Sequence, residues 1–155
     1  MNLEAQWIVG FVDGEGTFHI QINKKTNQVL PEFVISQHMR SENVLYAIKD
    51  YFDAGVVRKE SNKPGETGRQ YRVRDVNQLR KIIIPFFEKH SLKTTKHIDF
   101  LKFRDVLLMM ERKEHLTLAG KAEIEKIRET MNTKGHRAKA AKAQAANVEI
   151  TDSCE

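Results

Sequence analysis

The sequence predicts an α+β domain in which helices pack on a four-stranded antiparallel sheet. Two observations carry this. The apolar period switches from helical to strictly alternating directly after a Gly-x-Gly at residues 14–16. The same order, helix then hairpin, recurs further along and is followed by apolar helical stretches as far as residue 131.

Residues 3–13 read as a short helix with Leu3, Trp7, Ile8, Phe11 and Val12 apolar, ending where glycines let the backbone turn. Thr17, His19, Gln21 and Asn23 then alternate with Phe18, Ile20 and Ile22, the pattern of a strand with one wet and one buried face. Residues 24–27 supply a turn and 33–37 the returning strand. Ser41 is placed to cap a helix running to about Phe52, with Val44, Leu45, Ile48 and Phe52 on one stripe. A second hairpin pairs residues 56–59 with 70–74 across a stretch rich in Gly, Asn, Ser and Pro. Asp75 and Gln78 resemble a capping box opening a third helix through Leu79, Ile82 and Ile83 towards Phe87, which Pro85 is expected to kink or end. Thr94 or Thr95 caps a helix over 97–110, whose Ile98, Leu101, Val106, Leu108 and Met109 form a wide apolar face, and 117–131 give the last helix. Phe86, Phe87, Phe100 and Phe103 belong to the core. One domain over residues 1–133 follows, with a basic, then polar tail at 134–155 that has no aromatic anchor and is expected to be weakly ordered.

Lys and Arg number 26 against 21 Asp and Glu, for a formal charge of +5. The excess is concentrated in residues 55–97, where eleven basic residues face four acids, which suits a polyanionic partner. The single cysteine, Cys154, excludes an internal disulfide framework and a cysteine-based zinc site in one chain, consistent with a reducing interior. No apolar run approaches the ~20 residues of a membrane span and no secretory signal opens the sequence, so an intracellular setting is expected, bacterial cytoplasm or an organelle.

Ile8-Val9-Gly10-Phe11-Val12-Asp13-Gly14-Glu15-Gly16 resembles the motif of the LAGLIDADG homing endonucleases: apolar, small, glycine, two apolar, acid, small, acid, glycine. Its position, closing a helix and opening an alternating strand, is that of the family. Ser91 to Lys96 with Asp99-Phe100 resembles the family's lysine segment, and His115-Leu116-Thr117, Gly120, Ile124 and Met131-Asn132 resemble its C-terminal pattern. The resemblance covers nearly everything before Lys134. It implies an αββαββα domain of the single-motif, homodimeric type, and site-specific double-strand DNA cleavage with magnesium that promotes intron mobility. Manganese is expected to substitute, and calcium to support binding without cleavage. An intron-splicing maturase or a non-cleaving DNA-binding protein is the alternative. Six histidines are present, yet no His-Asn-His or paired-cysteine pattern supports a histidine-metal nuclease.

The motif has its own physical logic. Gly10 and Gly14 lie one helical turn apart, so two copies of this helix can approach closely, with Trp7 and Phe11 beside them at the expected dimer interface. Their ends then bring two Glu15 carboxylates together, a costly pairing unless a hard cation neutralises it. By the resemblance, Glu15 and the Gly14 carbonyl hold the metal, Gln37 orients water, Lys93 stabilises charge on the scissile phosphate or polarises the attacking water, and Asp13 is structural. An antiparallel ribbon fits the major groove, where alternate side chains meet base edges. The candidates are Thr17, His19, Gln21, Asn23, Glu32, Arg58, Gln70, Arg72 and Arg74, with Lys24 and other loop lysines on phosphates.

Overall fold

In a computed structural model that describes residues 1–132, the chain runs helix, hairpin, helix, hairpin, helices. The tail expected at residues 134–155 lies outside the described residues. Helix α1 (Ala5–Glu15) leads directly into β1 (Gly16–Ile22), which pairs with β2 (Val29–His38). Helix α2 (Glu42–Phe52) precedes β3 (Val56–Lys59) and β4 (Gly68–Val73). The sheet is fully antiparallel in the order β1-β2-β4-β3.

One face of this sheet is apolar because the alternation is maintained across strands. Phe18 faces Phe33, which faces Val73, while Gly16, Ile35, Tyr71 and Val57 form the next row. Phe18 is the hub: it stacks on Phe33 at 5.0 Å and meets Phe87, Phe100 and Phe103 within 5.5 Å. Each such ring, taken fully from water, contributes about 1.5–3 kcal/mol.

Helix α1 starts and ends two residues later than the apolar pattern suggests, so Gly14 and Glu15 are helical and the chain turns at Gly16. Gly16 is extended, not left-handed; it is glycine for space, since a Cβ there would sit 2.9 Å from the Val12 carbonyl oxygen. Strand β2 begins four residues earlier than expected, which brings Glu32 opposite His19. Pro31 is tolerated because this part of β2 pairs with β1 and has no β4 neighbour.

Ser41 does not cap α2 through its side chain. A 3-10 turn, Met39–Ser41, precedes the helix, capped by His38 Nδ1 accepting from the Arg40 N–H. Asp75 does cap, accepting from Gln78 N–H at 2.8 Å, but Gln78 turns its side chain away to accept from the N–H of Gly55. Gly55 has a left-handed φ of +74°.

Pro85 neither ends nor breaks its helix. The short α3 (Val76–Gln78) passes through a π turn (Leu79–Ile83) into α4 (Ile84–Lys89), with the Ile84 N–H bonding to the Leu79 carbonyl. A proline lacks the donor and crowds the preceding turn, and a widened turn accommodates both.

Helix α5 (Lys96–Glu111) buries Phe100, Phe103, Val106, Leu107 and Met109, so Ile98 and Leu108, expected inside, are outside. The aromatic positions hold the helix phase, and Ile98 and Leu108 fall off their stripe. Helix α6 (Leu118–Glu129) is capped by Thr117, which accepts from Gly120 N–H at 3.0 Å.

Tyr71 is fully buried and its hydroxyl has no hydrogen-bond partner among the described residues, while burial pushes its pKa above the ordinary value. An unsatisfied buried hydroxyl costs about 1–3 kcal/mol. Tyr71→Phe is therefore expected to stabilise the fold by about 1 kcal/mol, read as a higher urea midpoint at unchanged slope.

Candidate nucleic-acid interface and catalytic centre

The outward face of the sheet is largely polar. Thr17, His19 and Gln21 lie on β1, Glu32 on β2, Gln70 and Arg72 on β4, and Arg58 on β3, all on the face opposite Phe18. Asn23 and Arg74 follow directly at strand ends. The face thus gathers the nine residues that the sequence pattern singles out for base contact, and Lys24 stands exposed in the adjoining turn. Asn23 is already engaged within the chain, since its Oδ1 accepts from the N–H groups of Lys25 and Thr26 and so shapes that turn. Val34, Ser36 and Val56 share the face and were missed. Continuing the period-two pattern through β2 finds Val34 and Ser36. Apolar side chains among forked donors suit thymine methyls beside other base edges.

Glu15 is the last residue of α1 and exposed, and its side chain makes no hydrogen bond or ion pair among the described residues. It lines a shallow depression with Ser36, Gln37, His38, Glu60, Glu66, Thr67 and Gly68. The fold therefore brings Glu15 and Gln37 together, because the pairing of Gly16 with Ile35 sets the end of α1 beside the end of β2. Gln37 lies opposite Arg69, which is itself fixed by Glu42 at 3.0 Å.

Lys93 does not line that depression; in the structure its backbone does the binding. The Asp13 carboxylate accepts from Lys93 N–H at 2.7 Å, from Thr94 N–H at 3.2 Å and from the Thr94 hydroxyl at 2.8 Å. Asp13 thus holds the middle of the lysine segment, at Lys93 and Thr94. A lysine outside the candidate set, Lys96, meets the motif instead. Its ammonium donates to the Gly16 carbonyl, and it lines a second cleft, of about 530 Å³, with Asp13, Gly14, Thr17, His19 and Asn132. The signal available was position: Lys96 opens α5, three residues beyond Lys93. Asn132 closes the same side, donating to the Phe18 carbonyl at 2.9 Å.

Trp7, Gly10, Phe11 and Gly14 run along α1. Trp7 is 45% exposed and stacks on Phe11 at 4.9 Å, and a Cβ at Gly10 or Gly14 would meet nothing within 4 Å. No described helix is long and apolar enough to cross a membrane.

For Asp13, burial raises the pKa but is outweighed by the bonds from Lys93 and Thr94 and by the charge of Lys96, so it lies below its ordinary value. A depressed carboxylate contributes stability above its unfolded pKa of ~3.9 that is lost as pH falls through the folded value. Asp13→Asn should lower the melting temperature at pH 7 and flatten the loss of stability below about pH 4, measured by thermal denaturation across pH.

The LAGLIDADG endonuclease family model matches residues 8–107. Probable intron-encoded endonuclease 2 of Neurospora crassa is 33% identical over 137 residues, 84% of this chain and 30% of the relative, so the chain spans under a third of that protein. The crystal structure of the homing endonuclease I-TnaI superposes with a TM-score of 0.80 at 45% identity, covering 94% of this chain and 99% of that one. I-SmaMI bound to an uncleaved DNA target in the presence of calcium ions gives 0.79 at 35% identity, with 85% of this chain matching 46% of that chain. With its motif at the end of α1, its αββαββα order and a family match over most of its described length, the chain belongs to the LAGLIDADG endonuclease family.

Proposed function

We propose that this chain is a metal-dependent homing endonuclease that acts as a homodimer on a long, partly palindromic double-stranded DNA site and promotes intron mobility. The observation that carries this is Glu15: an unpaired carboxylate at the end of a helix with an uncovered small-residue stripe, beside a polar sheet face bearing Arg58, Arg72 and Arg74.

Among the described residues no group of three His, Cys, Asp or Glu side chains could hold a metal ion. One copy offers a partial donor set, the Glu15 carboxylate and the Gly14 carbonyl in the last turn of α1, where carbonyls lack helical donors. Two copies packed through Trp7, Gly10, Phe11 and Gly14 would bring two such sets together, and these oxygens would hold a hard divalent cation such as magnesium. A magnesium ion bound there supplies acidity to a water molecule and positive charge to the leaving oxygen. The rest is done by the chain. Gln37, whose side chain has no partner among the described residues, orients water beside Glu15. Lys96 and Lys93, held against the motif through Gly16 and Asp13, offset charge at the scissile phosphate. The sheet fixes register on the duplex.

Since a Cβ at Gly10 meets nothing within 4 Å among the described residues, Gly10→Phe should fold normally yet remain monomeric by light scattering and fail to cut.

Glu15→Gln should abolish cleavage while binding in calcium persists; near-normal cutting by this variant would refute the metal site. In single-turnover kinetics at saturating protein, Lys96→Met should slow cleavage by on the order of 100-fold with specific binding within a few-fold. Lys93→Met should slow it less, and Lys89→Met, outside the segment, should cut almost normally.

A further inference from the structure

The outward sheet face contains one ion-pair network whose geometry is unlike a row of solvated charges. Glu32 Oε2 accepts from Arg74 Nε at 2.7 Å and lies 3.7 Å from Arg72 Nη1. Arg74 Nη2 reaches Gln21 Oε1 at 3.5 Å. The carboxylate is covered by its partners, at 13% side-chain exposure, so it is poorly placed to meet a base itself.

The two arginines are not equivalent. The Arg72 side chain is only 15% exposed, and its Nε is buried without a hydrogen-bond partner among the described residues. Arg74 is 49% exposed. Glu32 and Gln21 take its Nε–Nη2 side, and among the described residues nothing hydrogen-bonds its Nη1. The end of the guanidinium therefore keeps two parallel donors, the fork that matches O6 and N7 of guanine in the major groove. A fork already held needs no ordering on binding, which favours one geometry over the many of a mobile arginine.

Resting on the DNA-binding assignment above, we propose that Arg74 reads a guanine in each half-site and that Glu32 is the positioning residue that aims it, with Arg72 packed beneath as support. Glu32 thus contributes to sequence preference without touching a base.

The test is selection from a random duplex DNA library in calcium, with the unaltered chain, Glu32→Gln, Arg74→Ala, Arg74→Lys, Arg72→Ala and the double variant Glu32→Gln/Arg74→Ala. The unaltered protein should enrich a two-fold consensus with a guanine at one position per half-site. Glu32→Gln and Arg74→Ala should each cut the preference at that position by about 10-fold and leave other positions unchanged. The double variant should lose no more than Arg74→Ala alone, because both changes remove one coupled unit. Arg74→Lys keeps a charge beside Glu32 but not the fork, and should lose the same preference in a folded protein. Additive losses, a uniform fall in affinity across all sequences, or a guanine preference lost with Arg72→Ala but kept with Arg74→Ala would overturn the inference while leaving DNA binding intact. Failure of the folded, unaltered chain to enrich any sequence would overturn the DNA-binding assignment itself.

Discussion

Asp13 and the middle of the lysine segment are eighty positions apart in the chain, and a single carboxylate joins them. Everything proposed for the site depends on that join. Helix α1 alone would present Glu15 at a frayed end, and α5 alone would start with lysines in solvent. Because Asp13 accepts three hydrogen bonds within one turn of Glu15, the end of α1 and the start of α5 form one rigid corner. Lys96 fastens the corner to the first residue of β1, and Asn132 fastens the end of α6 two residues further along. The Glu15 carboxylate, the basic segment and the first strand of the sheet are thereby positioned by local polar contacts, while the aromatic cluster around Phe18 supplies the stability behind them.

Most of the fold was legible because its signals are periodic. Seven alternating residues define β1, and the strand order follows from two hairpin patterns. What was not legible depends on partners far away in sequence. Nothing near Ser41 announces that His38 caps the preceding turn instead. Ile98 and Leu108 look like core until Phe100 and Phe103 take the inward stripe. Pro85 reads as a breaker, but Leu79, Ile83 and Phe87, all fully buried, recur four residues apart. That spacing runs slower than an α-helix, and a π turn lets it stay on one side.

The candidate site was legible unevenly for the same reason. The wet face of the sheet is a matter of parity, so its members could be read from alternation in β1 and β4. Glu15 and Gln37 meet because β1 and β2 are joined by a short hairpin, which sequence shows. The lysine segment was found by its pattern, but which ammonium faces the motif is set by how α5 docks, and docking is a tertiary property. Glu32 is a further case: as a strand residue it reads as one more polar side chain, and only the longer β2 places it between two arginines.

An exposed sheet edge is a template for another strand, and this sheet closes both of its edges by different means. At β1 the carbonyls of Gly16 and Phe18 are occupied by the side chains of Lys96 and Asn132. At the other edge β3 is only four residues long and ends in Arg58 and Lys59, where an incoming strand would meet concentrated positive charge. Growth of the sheet by edge-to-edge addition, the route to fibrous aggregates, is obstructed at both edges.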